Sequence, residues 1–101
     1  MKVNGKEIGL LYTVGVLCDH QDWQAANKNK PATSGLVKIE LMSRAYAARN
    51  NTDFVTVDEI KELMPYEVAE LLDAAVEAEK AGTSRQIETI DAPKKKDKAE
   101  K

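Results

Sequence analysis

The clearest hydrophobic pattern in the chain lies between Thr56 and Gly82. Apolar residues recur there at the i, i+3, i+4, i+7 and i+8 spacing of one face of an α-helix, at Val68, Leu71, Leu72, Ala75 and Val76. Charged residues fall mostly on the other side of this helix, at Glu67, Glu70, Asp73, Glu77 and Lys80. Pro65 suits the first helical position, and Gly82 suits the left-handed position that follows a helix. The pattern predicts a helix over Pro65–Ala81 whose core-facing residues are Val68, Leu71, Leu72 and Val76.

A capping signal marks a shorter helix just before this one. Thr56 and Glu59 match the T-x-x-E capping box, in which each side chain accepts a hydrogen bond from the other residue's backbone N–H. Val57, Ile60 and Leu63 then form an apolar stripe at helical spacing. Pro65 should end this helix, because the residue before a proline avoids the helical conformation. We therefore predict a helix over Val57–Met64 and a bend before the next helix.

Turn and capping residues also organise the start of the chain. Asn4-Gly5 is a preferred two-residue turn pair, since both positions tolerate a positive φ. The pattern predicts a β-hairpin over Met1–Tyr12, although Gly9 weakens its second strand. A helix is predicted over Thr13–Ala26, because Val14, Leu17 and Cys18 share one helical face and Thr13 can cap it.

A helix that is apolar on more than one face is predicted over Gly35–Arg49, capped by Ser34 after a polar loop at positions 27–34. Such a helix is either central to the fold or partly committed to a partner. Its apolar surplus, in a chain too small to cover it, favours self-association. The candidate contact residues are Leu36, Ile39, Met42, Tyr46 and Trp23. For Trp23 the alternative is a plug in the core, because tryptophan is common both in cores and in interfaces.

Beyond Gly82 the periodic signal fades. Arg85–Ile90 alternates weakly and could form a short strand or arm, whereas Ala92–Lys101 has no large apolar residue and should be disordered. The expected organisation is one small domain, 1–82, and a flexible, basic C-terminal tail, 83–101. The fold class is α+β and predominantly α, with an N-terminal hairpin and about four helices.

Charge is distributed unevenly along the 101 residues, although the net charge is only −2. Asp53–Glu79 holds nine acidic residues and one lysine, a net charge of −8. Lys80–Lys101 holds seven basic and four acidic residues, a net charge of +3. An acidic helical body argues against binding to nucleic acid, because phosphate backbones require basic surfaces. No signal peptide or membrane span is recognisable, which predicts a cytoplasmic protein without membrane contact.

Residues that could support chemistry occur together only once. Cys18, Asp19, His20 and Asp22 are close in sequence, but the chain has no second cysteine or histidine to complete a zinc site. Cys18 and His20 also do not face each other on a helix, as a nucleophile and its base must. We expect a buried Cys18 beside a surface His20. The chain is thus predicted to be no enzyme and to have no catalytic, metal or cofactor-binding residues.

The first strand, turn and helix start carry a family resemblance. The turn reads Asn4-Gly5-Lys6-Glu7, and the helix start reads T-x-G-x-L-C from Thr13 to Cys18. This run, Lys2–Cys18, resembles the opening of tail assembly chaperones of long-tailed, siphovirus-type bacteriophages and prophages. The rest of the chain resembles them only in outline. The second strand departs from the family pattern, which usually alternates more regularly than Ile8–Leu11.

The resemblance implies a non-catalytic assembly protein. Such chaperones coat the tape measure protein while a phage tail is built and help to recruit tail tube subunits. They have no cofactor, tend to self-associate and are absent from the finished tail. Many are made in a short form and in a longer form that arises by ribosomal frameshifting. Lys94–Lys96 could accordingly be encoded by a run of adenines at which the ribosome slips.

Two other classes of function stay open at this stage. The chain could be a small cytosolic adaptor or regulator that binds a protein through its acidic helices. It could also be a nucleic-acid-binding domain, although the helix from Pro65 has no basic residue in its first turns, as a recognition helix would.

Overall fold

The computed structural model describes residues 1–91, with side chains through Thr83. This part of the chain folds into a two-stranded hairpin and helices in the order β1 Lys2–Val3, β2 Lys6–Glu7, α1 Val14–Ala26, α2 Pro31–Asn50, α3 Val57–Lys61 and α4 Pro65–Asp91. The predicted fold class, mainly helical with an N-terminal hairpin, is confirmed. The disordered tail predicted for Ala92–Lys101, with its lysine run, lies outside the described residues. The division into domain and tail stays a prediction.

The hairpin turns at the predicted residues but is shorter than predicted. Asn4 has φ 53° and Gly5 has φ 78°, so both positions of the turn are left-handed. The strands pair only over Lys2–Val3 and Lys6–Glu7. The chain then crosses α2, where a Cβ on Gly9 would lie 2.5 Å from the Tyr46 ring. The prediction of strand through Tyr12 is therefore wrong, because this segment packs on a helix rather than pairing with β1.

The N-terminal caps predicted at Thr13 and Thr56 are confirmed. Thr13 Oγ1 accepts a hydrogen bond from Val16 N at 3.2 Å and starts α1. Thr56 and Glu59 form the capping box of α3, with Glu59 N donating to Thr56 Oγ1 at 3.2 Å and Thr56 N donating to Glu59 Oε1 at 3.1 Å. The bend predicted before Pro65 separates α3 from α4. Local backbone hydrogen bonding thus sets these helix starts.

Helix α2 begins four residues earlier than Gly35, so the start predicted at the Ser34 cap is wrong. Pro31 occupies the first turn instead, since a residue without an N–H loses nothing there. Ser34 bonds to α1: its Oγ accepts from Gln24 Nε2 at 3.0 Å and lies 3.0 Å from His20 Nε2. Positions 31–34 are therefore helical, and Ser34 holds α2 to α1.

Helix α2 is the centre of the fold, in contact with α1, α3 and α4. It contributes Ile39, Met42 and the buried polar residue Ser43. The remaining core residues come from β1, α1, α3, α4 and two connecting segments: Val3, Ile8, Val16, Val55, Ile60, Leu71 and Ala75. The other elements thus cover the apolar residues of α2 that suggested self-association. Self-association itself stays a prediction.

Helix α4 is rotated relative to the prediction. Leu71 and Ala75 are buried, and Val68 packs against the core, but Leu72 is 39% exposed and Val76 is 49% exposed. The prediction that Leu72 and Val76 face the core is therefore wrong. The apolar positions of α4 span more of its circumference than α2 can cover, and α2 packs on the side that carries Leu71 and Ala75.

Helix α4 also continues past Gly82 to Asp91, so the predicted helix end and the strand or arm predicted at Arg85–Ile90 are wrong. Gly82 serves a different purpose. A Cβ at this position would lie 3.0 Å from the carbonyl oxygen of Tyr12, which belongs to the segment before α1. The glycine therefore allows two backbones to approach, rather than ending the helix.

Glu59 joins the hairpin to α3. Its Oε2 lies 2.7 Å from Lys6 Nζ and accepts a hydrogen bond from Asn4 Nδ2 at 3.2 Å. These donors and the Thr56 N–H stabilise the ionised carboxylate, with Lys6 contributing most, and they lower the pKa of Glu59 from its usual 4.5 to about 2. The charge on Glu59 is thus linked to folding.

We expect the Glu59→Gln variant to lose part of the pH dependence of stability. A carboxylate with a lowered pKa in the fold stabilises the protein above its unfolded pKa, near 4.5, and this contribution is lost as pH falls through about 2. The fall in thermal midpoint over this interval should therefore be smaller in the variant than in the natural chain, as measured by circular dichroism. Glu62→Gln, at an exposed position just after α3, is the matched control. Equal pH dependence in the Glu59 variant and the natural chain would contradict this linkage.

Candidate protein-binding surface

The residues of α2 proposed for partner contacts lie mostly inside the fold. Ile39 and Met42 have no exposed surface, so their prediction as contact residues is wrong. They belong to the core. Leu36 is half-buried and packs against that core. Tyr46 is half-buried, with its ring against Gly9. None of these four residues forms a free apolar face, because α2 is enclosed by its neighbours.

Trp23 lies on α1 and is half-buried. It is therefore not fully enclosed as a plug in the core would be. Its carbonyl oxygen accepts a hydrogen bond from Asn27 Nδ2 at 2.9 Å, at the C-terminal end of the helix. Its role as a contact residue stays a prediction.

The sequence cluster around Cys18 does not form a compact site. Cys18 is exposed, so the prediction that it is buried is wrong. His20 is half-buried rather than on the surface, and its Nε2 lies 2.9 Å from the Ser34 carbonyl oxygen. Among the side chains that the structure describes, which extend through Thr83, no group of three histidine, cysteine or acidic residues is arranged to hold a metal ion.

Large exposed apolar side chains lie mainly on two helices. Helix α1 exposes Val14 by 62% and Leu17 by 38%. Helix α4 exposes Tyr66, Leu72 and Val76, and Met64 just before this helix is exposed as well. The second group is larger, includes an aromatic residue and continues along one helix. It is the better candidate for a protein-binding surface, because clustered exposed apolar residues mark such surfaces.

We call the solvent-facing side of α4 the outer face and define it by Tyr66, Ala69, Leu72, Asp73, Val76 and Glu77, all of which are exposed. Ala69, Leu72 and Val76 form an apolar row at i, i+3 and i+7 spacing. Tyr66, Asp73 and Glu77 lie along one side of this row. A helix turns about 100° per residue, so these three positions fall close together on its circumference. The outer face is thus an apolar row with an acidic border.

The charge of the outer face is not balanced by nearby lysines. No lysine or arginine occurs between Pro65 and Glu79. Lys38 of α2 is paired with Glu79 and lies over the Tyr12 ring, 5.6 Å from its centroid. Lys80 lies 3.9 Å from Glu77, with both side chains largely exposed, a geometry that contributes little. Asp73 therefore keeps an accessible negative charge beside Leu72.

The pattern of the sequence held a signal for the outer face. Val68, Leu71 and Ala75 share one direction on a helical wheel, whereas Ala69, Leu72 and Val76 share another, roughly 100° away. Two apolar rows on one helix predict two contacts. The prediction places Leu72 and Val76 in the core together with Val68 and Leu71, because the sequence alone does not show which row α2 covers.

Comparison with known proteins assigns no family to the chain. No family model matches it, and no curated protein or solved structure matches it. Among the helices of the described residues, none is long and apolar enough to cross a membrane.

Proposed function

We propose that the protein is a non-catalytic tail assembly chaperone of a siphovirus-type phage or prophage, which binds the tape measure protein and helps to recruit tail tube subunits. The observation that carries this proposal is the run Lys2–Cys18, with its Asn4-Gly5-Lys6-Glu7 turn and its T-x-G-x-L-C helix start. Such a protein would work in the bacterial cytoplasm, without a cofactor, as a homo-oligomer.

Two features of the fold are consistent with this proposal and support it. The residues of the resemblance occupy structurally defined positions: Asn4 and Gly5 form the turn, and Thr13 caps α1. The body that follows is a compact set of helices with exposed apolar residues on α1 and α4. A protein that coats a long helical partner needs such a surface, because helix packing requires apolar side chains.

Genomic position and co-expression test the proposal. The gene should lie just upstream of one that encodes a very long helical protein. Co-expression should keep that product in the soluble fraction and elute the two proteins together in size-exclusion chromatography. An unrelated acidic helical protein of similar size is the control. Absence of both the neighbouring gene and the complex would refute the chaperone assignment.

The frameshift that the resemblance implies has a separate test. The codons for Lys94–Lys96 should lie in an adenine-rich slippery heptamer, with an overlapping reading frame beyond it. Lysine codons interrupted by guanines, with no overlapping frame, would exclude a longer form without excluding the chaperone itself.

A second candidate function is a small adaptor that binds a cellular protein through its acidic helices. The outer face favours it, because Tyr66, Leu72 and Val76 are exposed next to Asp73 and Glu77. Gene neighbourhood separates the two roles, since an adaptor has no need of a tape measure gene beside it. Binding to DNA that weakens steeply with salt would instead support a nucleic-acid role.

A further inference from the structure

The outer face of α4 is shaped to pack against another helix. Leu72 and Val76 are an i, i+4 pair, and rows of this type are the ridges that interlock when two helices pack. Leu72 also borders α2, where a Cβ on Gly35 would lie 3.2 Å from Leu72 Cδ2. The tip of Leu72 thus packs against the start of α2, while the rest of its side chain and Val76 stay exposed to solvent.

The charge beside the row defines the chemistry of the partner. Asp73 and Glu77 are both exposed, and Glu70 is exposed about two turns before Glu77. A basic side chain flanking an apolar contact would meet these carboxylates and gain from charge complementarity. An acidic flank would be repelled. The surface therefore selects for both apolar and basic residues in its partner.

Two occupants from the chain itself fit this surface poorly. A second copy that packed through the same row would bring Asp73 and Glu77 of both copies close together, and like charges at an interface are unfavourable. The segment Ala92–Lys101 is basic, but it has no large apolar residue to cover Leu72 and Val76.

We propose that the outer face of α4 binds a basic amphipathic helix of another protein, with aliphatic residues against Leu72 and Val76 and lysine or arginine residues opposite Asp73 and Glu77. This inference rests on the proposed role of the chain as a protein-binding, non-catalytic protein. It does not depend on the partner being a tape measure protein. The surface recognises the helix by its apolar stripe and its charge together.

The probe is a synthetic peptide of about 18 residues, long enough for about five helical turns. It has leucines at helical spacing and lysines elsewhere. A second peptide replaces the lysines with glutamates, and a third keeps the composition but scrambles the leucines. Fluorescence anisotropy with the full chain should show binding of the first peptide only. Circular dichroism should show a gain of helix in the mixture, since short peptides are marginal helices alone.

Two double variants locate the contact. Leu72→Ala with Val76→Ala should weaken binding about tenfold or more, the effect expected for side chains at the centre of a contact. Asp73→Lys with Glu77→Lys should weaken binding to a similar extent, and it should permit binding of the glutamate peptide. Both changes are on an exposed face, and unchanged circular dichroism of each variant verifies the fold.

Helix α1 offers matched controls. Val14→Ala with Leu17→Ala removes the same two residue types, and Leu17 is 38% exposed where Leu72 is 39% exposed. Asp19→Lys with Asp22→Lys makes the same charge change at exposed positions. We expect peptide affinity to change less than about twofold in the apolar control. The charge control should lose only the long-range attraction that salt screens.

Several results would overturn the inference. Equal binding of the scrambled peptide would show attraction by charge alone, and a larger loss in the α1 variants would place the contact on α1. A dimer that dissociates in the Leu72 and Val76 variant, measured by sedimentation, would make a second copy the occupant. Binding seen only after deletion of Ala92–Lys101 would make that segment the occupant. Each of these results leaves the chaperone proposal standing, because its test uses the downstream gene product.

Discussion

Replacing Ile39 with alanine should lower the free energy of unfolding by roughly 2–5 kcal/mol, the range for buried aliphatic residues truncated to alanine. Ile39 has no exposed surface and lies on α2, which contacts α1, α3 and α4. The lost side chain would leave a cavity that no single neighbouring element can fill by moving. Denaturant unfolding followed by circular dichroism measures the change.

Two variants bracket this expectation. Val14 is 62% exposed, so Val14→Ala should change stability by about 0.5 kcal/mol at most. Leu72 is partly exposed on the outer face, and Leu72→Ala should fall below the lower end of the range for core residues, about 2 kcal/mol. A larger loss from Leu72→Ala than from Ile39→Ala would show that α4 is rotated toward the orientation that the sequence predicted.

The second large effect is expected at Ser43, which is the buried polar residue of α2. Ser43 Oγ accepts a hydrogen bond from Val55 N at 3.1 Å and donates to the Glu40 carbonyl oxygen at 2.9 Å. Ser43→Ala leaves the Val55 N–H without its acceptor in the core, which costs about 1–3 kcal/mol. Unfolding by denaturant measures the loss, and faster hydrogen exchange at the Val55 amide would identify its cause.

Ser34→Ala is the matched control for Ser43. Ser34 is on the same helix, but its Oγ bonds to the side chains of His20 and Gln24, which have access to water. Its replacement should therefore cost less than the replacement of Ser43. Equal losses, together with an unchanged Val55 amide, would mean that water replaces the serine hydroxyl in the core.

Helix starts were predictable because their signals are local. The caps at Thr13 and Thr56 and the proline at the start of α4 depend on residues three or four positions away. The same physics placed Asn4-Gly5 in a turn. The start of α2 was missed although it also has a proline, because the polar residues after Pro31 suggested a loop and their bonding partner, α1, is distant in sequence.

Packing direction was not predictable in this way. The two apolar rows of α4 look alike in sequence, and only the position of α2 decides that Leu71 is buried and Leu72 is not. Gly82 is a similar case, since a glycine that ends a helix and a glycine that accommodates Tyr12 have the same local signal. The sequence likewise predicts the candidate surface on α2, because it does not show which neighbours cover the apolar faces of that helix. The exposed apolar row lies instead on α4, because the other elements cover α2.

The junction between Asn4 and Glu59 has a consequence for the order of folding during synthesis. The two residues are 55 positions apart, and a ribosome adds about 5–20 residues per second, so Glu59 is made roughly 3–11 s after Asn4. A two-stranded hairpin alone is only marginally stable in water. Val3 and Ile8 are both buried in the complete fold, and they therefore stay exposed to solvent while the later helices are translated. The first residues of the chain are thus among the last to reach their native contacts.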